Sequence, residues 1–321
     1  MKNNQPFSTM SDESLSSTKL AILDEKDQQL IHLLQGNARL SYAELGSVIS
    51  LSSDAVRMRL DRLIKDHCIR LVTLVDPALF GQSVRFSFGV VVQGDPDIFS
   101  TWAQAQKEII HLTRTVGSFS FFGELVGETD IQMHNFIHKH LRSAPGVLNT
   151  EYWPMLRIVK WREDTGSPPA TSEVLAQVAF SDDDRAMLRE LVNEPRIQFR
   201  ELAERLQRPY GIVRRRASVL LESGVVRSTV IINDILVEHS YLAILLVNGD
   251  SRAQEFLLEN EQVTIFSASC GSRQFVGEVR TKSKEELAML CQQLRMPESG
   301  ITDCELMLQV SVDKLPASFQ F

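Results

Sequence analysis

Cysteine is scarce in this chain, and its placement excludes a good deal. The four residues, Cys68, Cys270, Cys291 and Cys304, include no C-x-x-C pair, so a zinc ribbon or a thioredoxin-type site has no ligands to build on. All four are expected to serve as small buried apolar residues, Cys270 standing just before the Gly271-Ser272 pair. Long apolar runs are also missing, and none approaches the length of a membrane span. Residues 1–19 are polar and Ser-rich and lack the apolar heart of a secretory signal, so they are expected to form a disordered arm on a cytoplasmic protein. The H-E-x-x-H pattern is absent too. His134 and His138 share a helical spacing, but residue 135 is Asn and only His140 lies close by, so a solvated polar face is expected, with no metal or cofactor. A net charge of −7 argues against a general nucleic-acid coat.

What the chain has in abundance is itself. Residues 23–76 and 180–233 align without a gap at an offset of 157 residues, with Asp27 on Asp184, Arg39 on Arg196, Glu44-Leu45 on Glu201-Leu202, Arg59 on Arg216 and Leu63 on Leu220. A repeat of this length means that one two-part unit occurs twice in tandem.

Each copy opens with three segments of helical periodicity. Leu30, Ile31 and Leu34 give one apolar face, broken at Gly36-Asn37. Ser41 with Glu44 forms a capping box ahead of a helix from Tyr42 to Ile49. A third helix follows Ser52 and carries Val56, Leu60, Leu63 and Ile64, matched by Val213, Ala217, Leu220 and Leu221. The opposite arc carries Arg57, Arg59, Arg62 and Lys65 in one copy and Arg214, Arg215 and Arg216 in the other. Successive helical residues turn by about 100°, so such an arc is expected to face solvent or a partner. The stretch from Arg205 to Arg227 adds Arg205, Arg208 and Arg227 against Glu222, which reads as a basic head on an acidic body.

The second part of each copy reads β-α-β-β-α-β, the ferredoxin-like order. Strands rich in β-branched residues run through Val84–Val92 and Tyr241–Val247; helices follow Gly94-Asp95 and Gly249-Asp250; paired strands flank Gly117-Ser118 and Gly271-Ser272. Second helices over 130–142 and 283–295 and last strands over 150–161 and 301–312 complete the pattern. The stretch REDTGSPPATSE from Arg162 marks a linker. The expected fold class is α+β, with helix-turn-helix domains at 20–77 and 177–234, ferredoxin-like domains at 78–161 and 235–321, an arm over 1–19 and a linker over 162–176.

The string LSSDAVRMRLDRL from Leu51 to Leu63, with Ile69 and a short strand to Asp76-Pro77, resembles the winged helix-turn-helix of the leucine-responsive/asparagine (Lrp/AsnC) regulators. The ferredoxin-like part is similar to their effector-binding and oligomerisation domain, called RAM. The resemblance implies a transcriptional regulator, not an enzyme, that binds double-stranded DNA and forms homo-oligomers through its RAM domains. It places DNA contacts on Ser52, Ser53, Asp54, Arg57, Arg59, Arg62, Tyr210, Arg214, Arg215 and Arg216, and effector contacts on Gly117, Ser118, Gly271, Ser272 and Arg273. The heads diverge where Ser52-Ser53-Asp54 meets Pro209-Tyr210-Gly211, with Pro209 expected in the first helical turn. Relatives that bind amino acids carry an acidic residue just after the glycine of the central turn. Here Ser118, Ser120, Ser272 and Gln274 stand there, and Arg273 adds positive charge, so a neutral or acidic effector is expected. The alternative is a siroheme decarboxylase on the same fold, but the His-Asn-Tyr-x-Arg run of those enzymes is absent after His111 and Phe266.

Overall fold

In a computed structural model describing residues 23–161, 180–232 and 240–315, the same order of elements occurs twice. The expected arm and linker lie outside the described residues. Helices α1 (Glu25–Gly36), α2 (Tyr42–Ile49) and α3 (Ser53–Lys65) lead into strand β1 (Ile69–Val75) and a short 3₁₀ turn, Pro77–Phe80. Then come β2 (Val84–Val92), α4 (Pro96–Ala105), β3 (Ile109–Val116), β4 (Phe121–Gly127), α5 (Asp130–Phe136, prolonged by one π turn to Leu141) and β5 (Val147–Trp161). The second copy runs α6 (Asp182–Asn193), α7 (Phe199–Arg205), α8 (Tyr210–Glu222), β6 (Val226–Ile232), β7 (Tyr241–Gly249), α9 (Ser251–Glu259), β8 (Val263–Ser269), β9 (Phe275–Thr281), α10 (Lys284–Leu294) and β10 (Ile301–Lys314).

The helical heads form as their caps dictate. Asp24 and Ser181 cap α1 and α6 in reciprocal boxes with Asp27 and Asp184, and Ser41 does the same for α2 with Glu44, each satisfying orphan N–H groups of a first turn. The turn before the third helix passes through a left-handed residue, Ser50 in one head and Gln207 in the other. Pro209 sits one place earlier than expected, at the N-cap of α8, and no side chain caps that helix.

Among the described residues the strand that follows each third helix pairs with none of its own head. Instead β1 pairs with β6, antiparallel, with Ile69 opposite Ile232 and Val75 opposite Val226. The first residue of each strand thus faces the last of the other, which is the register of a local twofold. The strands also complete each other's cores: Val230 packs with Leu30, Leu34, Leu60 and Leu63, while Val75 packs with Met187, Leu188, Val213 and Leu220.

The two ferredoxin-like sheets close on each other. Their eight strands form one barrel in the order β10-β3-β4-β2-β5-β8-β9-β7. The seams are β10 with β3, starting at Leu308 opposite Val116, and β5 with β8, starting at Met155 opposite Ser269. Closure removes the sheet edges that a lone sheet would expose. Two lysines clasp the seams: Lys160 Nζ donates to the carbonyls of Leu257 (3.2 Å) and Asn260 (2.7 Å), and Lys314 Nζ to those of Gln104 (3.0 Å) and Gln106 (2.6 Å). Each ammonium thereby satisfies carbonyls at the end of a helix of the other copy.

Candidate nucleic-acid interface

Helices α3 and α8 each bury one stripe, Val56-Leu60-Leu63 and Val213-Ala217-Leu220, and present the rest outward. On α3 the exposed set is Ser53, Asp54, Arg57, Met58, Asp61, Arg62, Ile64 and Lys65, with Ser52 exposed at its N-cap; on α8 it is Tyr210, Gly211, Ile212, Arg214, Arg215, Val219 and Glu222. The Ser52 hydroxyl accepts the Ala55 N–H at 3.2 Å, so it serves the helix as its cap.

The arginines expected on one arc divide. Arg59 turns inward and donates to Asp24 at 2.7 Å and to Asp27 at 2.8 Å; Arg62 reaches the same Asp27. In the second head Arg216 holds Asp184 through Nε at 2.6 Å and Nη2 at 2.8 Å. Asp27 is fully buried and Asp184 nearly so. Burial opposes the Asp184 charge, but Arg216 and Ser181 outweigh it and hold the carboxyl below the usual range. The expectation that the arc faces solvent or a partner therefore fails for Arg59 and Arg216, which turn to buried aspartates of their own heads, while Arg62 stays exposed and shares Asp27 with Arg59. A buried aspartate on the first helix of each head needs a cation, and the third helix supplies it. Asp27 and Asp184 were missed as partners, although the repeat aligns them.

The wider basic stretch is neutralised as well. Arg205 is held by Glu190, Glu194 and Glu201, Arg208 by Asp183, and Arg227 is half-buried beside Asp76. On α3, Arg57 lies 3.8 Å from Asp61, both side chains about two-thirds exposed. Arg214 and Arg215 are exposed, and neither is in an ion pair with the described residues. They are cations open to phosphate, on a helix whose first-turn N–H groups also lack a side-chain cap.

The turns expected to meet an effector lie at one end of the barrel. Gly117, Ser118, Gly271 and Ser272 are exposed. Ser272 is already engaged: its hydroxyl accepts Trp153 Nε1–H at 2.9 Å and donates to Glu151 at 3.1 Å, and its carbonyl accepts Asn248 Nδ2–H at 2.8 Å. Arg273 is paired with Asp303 and, at 3.1 Å, with Glu305. Its charge is neutralised at home, which corrects the expectation that it presents a positive site to an anion. Of the cysteines only Cys68 is buried; Cys270 is exposed and the other two are half-buried, a further correction. His134 Nδ1 meets the Tyr152 hydroxyl at 3.2 Å and His138 Nδ1 meets Arg142 at 3.3 Å. Among the described residues no three His, Cys, Asp or Glu side chains gather as a metal site, and no helix is long and apolar enough to cross a membrane.

Comparison with known proteins points the same way as these heads. Residues 23–64 match the AsnC-type helix-turn-helix domain, and residues 183–227 match a winged helix-turn-helix DNA-binding family. The HTH-type transcriptional regulator LysM of Sulfurisphaera tokodaii is 29% identical over 145 residues, which are 43% of this chain and 99% of that one. The regulatory protein AsnC of Escherichia coli K12 is 24% identical over 148 residues, 43% of this chain and 97% of that one. Among solved structures, the siroheme decarboxylase NirDL superposes over 90% of this chain and 92% of its own, with a TM-score of 0.59 at 15% identity, a likeness of fold. The chain thus carries an AsnC-type helix-turn-helix and is related to the Lrp/AsnC transcriptional regulators, proteins about half its length.

Proposed function

We propose that this protein is a sequence-specific DNA-binding regulator in which one chain supplies the two heads that its relatives assemble from two. The observation that carries this is the pair of exposed arginines Arg214 and Arg215 on the third helix of a head, in no ion pair with the described residues, whereas the other third-helix arginines, Arg57, Arg59, Arg62 and Arg216, all are. Third helices of this kind enter the major groove, with cations on phosphates. Tethering turns pairing into an intramolecular event at high effective concentration, and the β1–β6 ladder and the closed barrel are consistent with such a built-in pseudo-dimer. Ser53, Asp54 and Arg57 would read bases or phosphates in one half-site, and Tyr210, Arg214 and Arg215 in the other. Because these sets differ, two unlike half-sites follow, spaced by about one helical turn or a multiple. Any further homo-oligomer would assemble through outer faces of the RAM-like part. A neutral effector at Gly117, Ser118, Gly271 and Ser272 is the accompanying proposal; without a carboxylate there, a buried ammonium is costly. Selection of bound duplexes from a random pool by the purified protein tests the reading: enrichment of one bipartite site is expected, and a pool that stays random would sink it.

A second reading rests on NirDL, whose likeness extends over 90% of this chain, whereas the regulators match less than half of it. A tetrapyrrole enzyme would shift the Soret band of added siroheme, and a regulator would leave it unchanged.

A further inference from the structure

Helix α8 opens with two residues that are poor choices for a helix. Gly211 loses more backbone freedom on folding than any other residue type, and Ile212 is β-branched and stiff against the preceding turn. Tertiary packing often overrides such preferences, but it does not do so here. A Cβ placed on Gly211 would meet no atom within 4 Å, and its φ lies outside the left-handed region that favours glycine. Nothing in the described chain therefore requires a glycine at that position. Ile212 is 64% exposed and takes no part in the core of its head, which Val213, Ala217 and Leu220 build from the same helix. Residues that break a local rule with no gain inside the fold point to function.

The turn that presents them is well set. Pro209 stands at the N-cap, and its carbonyl accepts the N–H groups of Ile212 at 3.0 Å and Val213 at 3.2 Å. Arg215 and Val219 follow Ile212 at i+3 and i+7, on the same side of the helix, and Val219 is 43% exposed. That side is an apolar stripe interrupted by a cation, with Arg214 beside it and no acidic residue in the first turn; Glu222 is the last residue of the helix. Single exposed apolar side chains are ordinary on a protein surface. A stripe flanked by two cations in no ion pair with the described residues calls for a partner that is both anionic and apolar at short range. The major groove of DNA meets both demands: phosphates line it, and the C5-methyl group of thymine is the apolar feature on its floor.

The repeat shows that this arrangement belongs to one head. At the offset of 157 residues Gly211 falls on Asp54, Ile212 on Ala55, Arg215 on Met58 and Val219 on Arg62. Ala55 is half-buried, while Asp54 and Met58 are exposed. Where the first head offers a carboxylate and a single methyl group, the second offers open space and a branched apolar side chain.

We propose that Ile212 packs against the C5-methyl group of a pyrimidine in the major groove, and that Gly211 lets the start of α8 approach the base edges closely. This rests on the DNA-binding reading given above and makes Ile212 a specificity-determining residue for the half-site of the second head. Thymine and 5-methylcytosine can both supply that methyl group.

The test uses the full chain and the duplex recovered from the random pool. Each thymine is replaced singly by deoxyuridine, and in a second series each cytosine by 5-methylcytosine, with affinity read by fluorescence anisotropy. Uracil lacks the methyl group and keeps every hydrogen-bonding edge. At one pyrimidine the wild type is expected to bind the methylated base about three- to fivefold more tightly, the effect of burying one methyl group. Ile212→Ala should bind both forms alike, and Ile212→Val should keep most of the preference. A response in the thymine series assigns the methyl group to thymine, and one in the cytosine series to 5-methylcytosine; either supports the contact. Gly211→Ala should raise the melting temperature, since alanine is the better helix former, yet weaken DNA binding by about fivefold or more as its Cβ crowds the interface. A glycine with a merely structural role would not give that pairing. A methyl preference that is absent at every pyrimidine, or that survives Ile212→Ala, overturns the contact while an enriched bipartite site leaves the DNA-binding reading standing. Binding by Gly211→Ala as tight as wild type overturns the close approach. A pool that stays random overturns the reading and the contact together.

Discussion

Arg39 and Arg196 each reach into the other's head. Arg39 donates to the carbonyls of Pro195 (2.5 Å) and Ile197 (2.6 Å) and lies 4.7 Å over the Phe199 ring; Arg196 donates to Leu40 (2.6 Å) and lies 4.7 Å over the Tyr42 ring. Tyr42 and Phe199, like the arginines, are equivalent positions of the repeat. Burial, with Arg196 adding to it, pulls the Arg39 guanidinium below its usual value, and burial does the same to Arg196. Each therefore carries a desolvation cost that only its charge-assisted bonds and ring contact offset. Arg39→Ala and Arg196→Ala are each expected to destabilise the paired heads by about 2–3 kcal/mol in urea denaturation, and to widen the range of half-site spacings that the protein accepts in a spacer-length series of duplexes. Unchanged stability together with unchanged spacing preference would refute a clasp between heads.

The division of the head arginines predicts two kinds of mutant. Arg216→Ala leaves Asp184 buried without its cation and should cost about 3 kcal/mol of stability; Arg59→Ala should cost less, since Arg62 still reaches Asp27. The native Asp184 carboxyl is held low, so its contribution is present above the unfolded value of about 3.9 and is lost as pH falls through the native one. Arg216→Ala should remove that part of the acid dependence. Arg214→Ala and Arg215→Ala touch no such partner. They should leave the melting temperature within a degree or two of wild type and lower the slope of log K against log salt by about one unit each. The converse pattern, with Arg216 setting the salt slope, would show that the ion pair opens on DNA.

What could be read in advance followed from local rules. The box Ser41–Glu44 and the break at Gly36-Asn37 gave the bounds of α1 and α2 because caps and breakers act within one turn. The β-branched and aromatic run Val84–Val92 gave β2 because such side chains suit a pleated, half-buried surface. The partners of Arg59 and Arg216 were not legible, since each aspartate lies 32 residues away and periodicity carries no information at that range. For the same reason β1 and β6 read as wings of separate heads: a strand's own residues state that it will pair, not with which strand. Arg273 looked like an anion site because Asp303 and Glu305, some thirty residues on, approach it only once β10 has paired with β7.

Lys314 gives a test of that closure by pH. Burial pulls its ammonium from 10.5 down to about 8, with Glu108 countering. Between those values the native lysine is neutral and the unfolded one protonated, so the unfolded chain binds more protons and stability rises with pH. The rise attributable to this group is at most about 3 kcal/mol. Stability measured from pH 7 to 10.5 should therefore climb in wild type relative to Lys314→Met, which cannot titrate there. Parallel curves for the two proteins would mean that the seam lysine is hydrated.

The last prediction concerns the weaker head. On α3 the exposed Arg57 lies beside Asp61, and Asp54 stands in the first turn, where a carboxylate favours the helix but repels phosphate. On α8 no acidic residue occupies the first turn. The first head thus sets Asp54 and Asp61 against Arg57, Arg62 and Lys65 on the face it would offer to DNA, and the larger share of affinity is expected from the second. An exposed pair such as Arg57–Asp61 contributes under about 1 kcal/mol to folding, so removing the acid costs little. Asp61→Ala should free Arg57, raise DNA affinity several-fold at low salt and steepen the salt slope by up to about one unit, with stability almost unchanged. Asp61→Asn should do the same at closer shape. If neither substitution strengthens binding while Arg214→Ala weakens it, the first head does not approach phosphate, and the half-site beneath it should tolerate any sequence in the selected pool.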